Sequence, residues 1–272
     1  MSAAVGLLRL VHPAPALAVV TLSAALGAIL SAQSGRPIDG RLLLTVLAVA
    51  GSQILTGALN DWTDRDRDAL AQPTKPIPSG VASPRAALGV AAFGVVLQAA
   101  ASIPLGGLPL LLGLLASASA VAYNLALSRT PLSVLPYLVS FGLLPVWVAS
   151  GVGVELERVA VAPLLVGPFA AAAHLANTVR DFDVDARIGS RNLAQALGRR
   201  VAFNLAWGLA MGIGAAVGIA LLVGGPVAPA AVVLGVAGLL AVAQGIAGPQ
   251  RLWIGMLVAA VCWTAAWALA TG

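Results

Sequence analysis

Charge is the scarcest property of this chain. Only 9% of its 272 residues are Asp, Glu, Lys or Arg, against roughly a quarter in soluble domains, so a fully hydrated surface is excluded. A single cysteine, Cys262, excludes an internal disulfide and a thiolate metal centre. It lies in an apolar stretch and reads as a small packing residue. Two histidines do not make a zinc site by themselves. The 15 basic residues outnumber the 10 acidic ones. They are scattered over short segments instead of forming a stripe, so nucleic acid is not an expected partner.

Hydrophobic residues make up 60% of the chain. A membrane-spanning helix needs about 20 consecutive apolar residues. Such stretches occur at 14–33, 41–60, 84–103, 107–127, 131–150, 160–179, 201–223, 227–247 and 251–271. The expected class is an all-α integral membrane protein with about nine transmembrane helices, forming one domain over residues 1–272. The 17 Pro and 30 Gly suit membrane helices, which tolerate kinks and use close backbone approach. The first stretch follows Arg9 but is too long for an ordinary signal sequence, so it is expected to stay as a helix.

The basic residues set an expected orientation. With the N-terminus in the cytoplasm, 12 of the 15 fall on the inner side, and only Arg36, Arg41 and Arg158 fall outside. That asymmetry follows the positive-inside rule. It implies a multi-pass protein of the cell membrane with segments 61–83 and 180–200 facing the cytoplasm.

The few acids are not spread evenly. Asn60-Asp61-x-x-Asp64-x-x-x-Asp68 is matched by Asn177-Thr178-x-x-Asp181-x-x-x-Asp185, each position displaced by 117 residues. Four of the ten acids lie at 61–68 and three at 181–185. On a helix turning about 100° per residue, positions 60, 61, 64 and 68 fall at about 0°, 100°, 40° and 80°. Asp66 falls on the far side, at about 240°. The second segment repeats the pattern with Asp183 as its outlier. His174 shares the arc of the second segment and Gln53 that of the first. Asp66 and Asp183 are therefore expected in water or paired with nearby arginines, and the remaining acids on two polar stripes.

Carboxylates in register at a membrane face mark a cation or polyphosphate site. Mg²⁺ takes oxygen ligands, commonly one or two carboxylates with phosphate oxygens and water. Two such stripes suit a pair or trio of Mg²⁺ ions bridged by a diphosphate, which would become a better leaving group as its charge is neutralised.

These residues also carry a resemblance. NDWTDRDRD at 60–68 is similar to the first motif of the UbiA-type intramembrane prenyltransferases, and RDFDVDARIG at 180–189 to the end of their second. KPIPSG at 75–80 resembles the segment that follows the first motif. The nine spans, with motifs after the second and sixth, follow that family's plan over nearly the whole chain. The resemblance implies nine helices in two pseudo-repeats around a central cavity. It implies Mg²⁺ as cofactor, and an isoprenyl diphosphate and a lipophilic acceptor as partners within the membrane lipid. Carried over by position, Asn60, Asp61, Asp64, Asp68, Asp181 and Asp185 are metal ligands, with Asp64, Asp68, Asp181 and Asp185 central to catalysis. Substrate contacts fall to Asn60, Lys75, Tyr123, Arg129 and Asn177, and His174 joins them as a base or an acceptor contact because it faces the same arc. Lys75 stands where Arg is usual, Arg129 lies beside the position of a usual Lys, and Thr178 replaces a usual Asp.

Three functions remain open on these residues. One is transfer of a prenyl group to an aromatic or other lipophilic acceptor. A second is cyclisation of the ionised prenyl chain on itself. A third is transport, against which the carboxylates stand near one membrane face and away from the midplane. Trp62, Tyr137, Trp147 and Phe182 are candidate cavity or interface aromatics.

Overall fold

The structure, a computed structural model, describes residues 3–223 and 228–271. The start of the eighth expected stretch, at 227, lies outside them. Among the described residues, nine helical segments are long and apolar enough to cross a membrane. They are Pro13–Gln33, Gly40–Ala71, Pro84–Leu105, Gly107–Leu127, Leu135–Val152, Leu156–Arg180, Arg199–Val223, Pro229–Ala247 and Pro249–Ala270. The all-helical class and the count of spans agree with the sequence.

The chain divides into two compact units, Met1–Leu127 with Leu143–Ala160, and Ser128–Gly142 with Val161–Gly272. The first holds α1 (Ala3–Leu10), α2 (Pro13–Gln33), α3 (Gly40–Ala71), α4 (Pro84–Ser102) and α5 (Gly107–Ala122). It also takes the later part of α6 (Leu135–Val152). The second holds the start of α6, then α7 (Ala162–Arg180), α8 (Phe182–Arg187) and α9 (Leu193–Leu197). It is completed by α10 (Arg199–Val223), α11 (Pro229–Ala243) and α12 (Pro249–Thr271).

Helix starts follow local chemistry. Asp39 caps α3 by accepting the Arg41 N–H at 2.8 Å. Ser83 caps α4 by accepting the Ala86 N–H at 3.1 Å, with Pro84 in the first helical position. Both satisfy amide groups that a helix N-terminus leaves unpaired.

In the first unit α3 and α4 form the most extensive helix pair. Glycine makes it possible. A Cβ at Gly51 would stand 2.5 Å from the Gln98 amide nitrogen, and one at Gly94 would stand 2.5 Å from that of Leu55. Between apolar helices in lipid, close backbone approach is the main source of association. In the second unit α7, α10 and α12 bury Leu175, Ala176 and Val179 against Ala202, Ala206 and Ala210, with Leu252, Met256 and Trp263. The alanines recur every fourth residue and so line one helix face.

Two boundaries differ from the sequence expectation. The second expected stretch ends at 60, but α3 continues through the acidic cluster to Ala71, 32 residues in all. At 1.5 Å per residue that is about 48 Å, well beyond the roughly 30 Å hydrocarbon layer. The helix persists because its carboxylates find cations in their own unit, and it stops just before Pro73. In the second unit α7 ends at Arg180. Asp181, with ψ near 12°, separates it from α8, so the second stripe is shared between two helices.

Two outcomes test this architecture. Gly94→Ala is expected to destabilise the solubilised protein by about 1–3 kcal/mol through overpacking. Gly89→Ala on the same helix, where a Cβ meets nothing within 4 Å, is expected to be neutral or stabilising by up to ~1 kcal/mol. Thermal unfolding of the two variants side by side checks the α3–α4 contact, which is refuted if they behave alike. For orientation, single cysteines at the exposed positions Ser79 and Ala186, in a Cys262→Ala background, are expected to react with an impermeant maleimide from the cytoplasmic side. One at exposed Glu157 is expected to react from outside only. Labelling of 79 and 186 from opposite sides would overturn the orientation and the span count together.

Candidate active site

The C-terminal part of α3 is where acid is buried. Asp61, Asp64 and Asp68 are all buried, while the Asp66 side chain is 88% exposed and lies 3.7 Å from Arg65. The helical phase explains the division, because only Asp66 points away from the packed side. A buried carboxylate is costly unless a cation or hydrogen bonds offset the loss of water. Here Lys75 Nζ lies 2.8 Å from Asp68 Oδ2 and 3.1 Å from Asp61 Oδ1. His12 Nε2 approaches the same Asp61 oxygen at 2.9 Å. Arg67 pairs with Asp64 Oδ2 at 3.0 Å, one turn along the helix.

Lys75 belongs to the loop after α3. Burial works against its ammonium, but the hydrogen bond to Asp68 and the charges of Asp61 and Asp68 outweigh it. Its pKa is held above the usual lysine value, so Lys75 is a fixed cation at neutral pH.

Asn60, half-buried at the start of the cluster, directs its Nδ2 at Asp64 Oδ2 (3.3 Å) and at Asn124 Oδ1 (3.2 Å). Asn124 sits in a π-helical turn, Tyr123–Leu127, that ends α5. Such turns occur often at functional sites. Tyr123 is half-buried on the same turn.

The second unit is arranged differently. Arg180 grips its neighbour Asp181 through Nε and Nη2, both at 2.9 Å. Asp185 Oδ2 accepts from Asn192 Nδ2 at 2.8 Å. Asp183 is mostly exposed and pairs with Arg199. Thr178 is buried, and its hydroxyl donates to the Leu175 carbonyl at 2.9 Å. Asn177 is half-buried one residue before it. His174, buried on α7, stacks on Tyr137 with ring centroids 4.1 Å apart, and Tyr137 stacks in turn on Phe141. Arg129 is exposed, and its carbonyl accepts the Arg191 N–H at 3.1 Å. Of the candidate aromatics, Trp147 is 2% exposed and belongs to the core of the first unit. Trp62 lies under Arg65 and Phe182 under Arg199 as cation–π partners.

Sequence reasoning assigned no role to His12, Arg67, Asn124 or Asn192. His12 carried one available signal, being one of only two histidines. Its backbone is left-handed, with φ of 53°, the one non-glycine among the described residues at positive φ. That conformation is uncommon for such a residue and marks a position held by its surroundings. Asn124 follows the tyrosine that the resemblance picked out. Arg67 and Asn192 carried no signal apart from polarity.

Among the described residues, no three His, Cys, Asp or Glu side chains converge into a cage able to hold a metal unaided. The donor set instead suits a hard cation that keeps water and phosphate oxygens as ligands, which is how Mg²⁺ binds. One observation supports that fit. Asp61 Oδ2 is buried and has no hydrogen-bond partner, an acceptor left open beside a group of carboxylates.

The profile of the UbiA prenyltransferase family matches residues 20–251. A digeranylgeranylglyceryl phosphate synthase from Natronomonas pharaonis is 29% identical over 214 residues, 76% of this chain and 74% of that protein. Among solved structures, a UbiA homologue from Aeropyrum pernix K1 superposes with a TM-score of 0.75 at 22% identity, covering 91% of this chain and 96% of the other. A UbiA homologue from Archaeoglobus fulgidus bound to GPP and Mg2+ gives 0.74 at 16% identity, covering 98% and 100%. With nine apolar spans among the described residues and a family profile matched over most of its length, the chain belongs to the UbiA prenyltransferase family and is a multi-pass membrane prenyltransferase.

Proposed function

We propose that this prenyltransferase moves an isoprenyl group from a Mg²⁺-bound prenyl diphosphate to a lipophilic acceptor, an aromatic ring in the preferred reading, and releases diphosphate. The observation that carries the proposal is the buried face of α3. Three carboxylates lie on it, one with an unpartnered oxygen, while the fourth acid of the segment is turned to water. The name and the bound GPP and Mg2+ of the relatives support the same substrate class.

In the first unit Asn60, Asp61, Asp64 and Asp68 would be the metal ligands, and in the second unit Asp181 and Asp185 would be. Bound there, Mg²⁺ would neutralise the diphosphate and so ease its departure. Lys75 supplies a fixed positive charge beside Asp61 and Asp68, and in this reading it would meet a phosphate oxygen. The bond that breaks joins the allylic carbon to the diphosphate oxygen, which leaves with the electron pair. The acceptor bonds to that carbon and gives up a proton. Half-buried Asn177 and buried His174 line α7 on the second motif's side. His174 is stacked on Tyr137, and in this reading it would contact the acceptor.

One observation favours a second reading, cyclisation of the prenyl cation on itself. Thr178 stands where the family's usual acid would lie, and its hydroxyl is spent on the Leu175 carbonyl. The second motif therefore offers two carboxylates where the first offers three.

Purified protein given Mg²⁺ and geranylgeranyl diphosphate separates the readings. Diphosphate release that requires an aromatic co-substrate supports transfer. A cyclic hydrocarbon or alcohol formed without one supports cyclisation, and no diphosphate release in either case refutes both. Asp64→Ala and Asp181→Ala are each expected to lower turnover by on the order of 10²–10³-fold. Asp66→Ala and Asp183→Ala remove only exposed ion pairs and are expected to stay within about twofold of wild type. Equal losses at Asp64 and Asp66 would refute the buried face as the metal site.

A further inference from the structure

Asn60 is the one uncharged member of the first motif's polar face, and an amide has two chemically opposite ends. Only its oxygen can ligate a cation, and only its nitrogen can donate a hydrogen bond. Which end faces the site is settled by the groups around it. Asp64 Oδ2 is an acceptor, and Asn60 Nδ2 lies 3.3 Å from it. On the other side Asn60 Nδ2 lies 3.2 Å from Asn124 Oδ1. Asn124 has its own polarity decided for it, because its Nδ2 is 3.1 Å from the backbone carbonyl of Thr56, which can only accept.

The chain of contacts is thus pinned at both ends by acceptors that cannot reverse. If Asn60 were turned round, its oxygen would face the Asp64 carboxylate and the Asn124 oxygen together. If Asn124 were turned round, its oxygen would face the Thr56 carbonyl. Asn124 is buried, with 6% of its surface exposed, so no water is at hand to relieve a mismatch at its side chain. The π turn Tyr123–Leu127 packs on α3 and holds Asn124 in place.

We infer that Asn124 is a positioning residue: it accepts the Asn60 amide nitrogen and thereby turns the Asn60 carbonyl oxygen outward as a ligand for a divalent cation. The inference rests on the proposed metal-dependent function and adds to it a residue outside the acidic motifs. It explains why an uncharged Asn lies among the carboxylates, since its oxygen becomes a dependable ligand once its nitrogen is tied down.

The test is a double-mutant cycle read by metal binding alone. The solubilised full-length protein is titrated with Mn²⁺, and free Mn²⁺ is followed by its paramagnetic resonance signal. Asn124→Leu is expected to weaken Mn²⁺ binding by about 10-fold, the lower end of what loss of a ligand's hydrogen-bond partner costs. In an Asn60→Asp background both ends of the side chain are oxygens, so no polarity remains to be set. There the same Asn124→Leu change is expected to alter binding by less than about twofold. A residue that merely packs α5 on α3 would weaken both backgrounds equally, and that result overturns the inference. So does unchanged Mn²⁺ binding in Asn124→Leu alone. If leucine disrupts the π turn, seen as a lowered unfolding temperature without metal, Asn124→Ala is carried through the same cycle. Failure of both variants to fold would make Asn124 a packing residue and refute the assignment. Absence of Mn²⁺ binding by the wild-type protein would refute the metal reading itself, before any question of Asn124 arises.

Discussion

The ion pairing around Lys75 is the interaction on which the rest of the first unit depends. Asp61 and Asp68 are buried near the end of a helix that is mostly apolar before them. Taking two carboxylates out of water is affordable only with opposite charge close by. Lys75 reaches both, and His12 reaches the nearer one. These contacts tie the segment between α1 and α2 and the loop after α3 to the same helix end, so local electrostatics also organises the chain.

The apolar part of the molecule obeys a different constraint. Lipid does not drive apolar helices together as water does, so helices must approach closely to gain dispersion energy. Gly51 and Gly94 allow this between α3 and α4. In the second unit, Gly167 packs against Gly142 and the Leu138 carbonyl. Small residues bring backbones together and leave the larger side chains to fill the spaces, as Trp263 does against Gly214 and Gly238. The rigid scaffold that results is what allows a short polar face to keep a defined geometry.

The two acidic segments match in sequence and differ in structure. In the first, one continuous helix carries every member, with cations drawn from elsewhere in the unit. In the second, Arg180 pairs with the adjacent Asp181 at the helix end, and Asp185 turns to Asn192. The first is therefore more buried and more tightly coupled. Thr178, bonded to its own helix, adds to the asymmetry. A shared motif spacing does not impose a shared local structure when the neighbours that neutralise it differ.

Much of this protein was legible in its residues. Nine apolar stretches dictated the nine helical spans found among the described residues, because backbone amides in lipid must be satisfied within each segment. Helical phase alone separated Asp66 from Asp61, Asp64 and Asp68, since side-chain direction on a helix is a local property. What the residues could not disclose was every relation that spans the chain. His12 lies 49 positions from Asp61, and Asn124 lies 64 from Asn60. No periodicity joins such pairs. Nor could composition tell that α3 would run to Ala71, because a helix of acids survives only where tertiary packing supplies its counter-charges. The sequence determined which segments would be helices and which way their acids would point. Only the tertiary structure decided which groups neutralise those acids and which end of the Asn60 amide they leave open, because both depend on side chains that packing alone brings within hydrogen-bond reach.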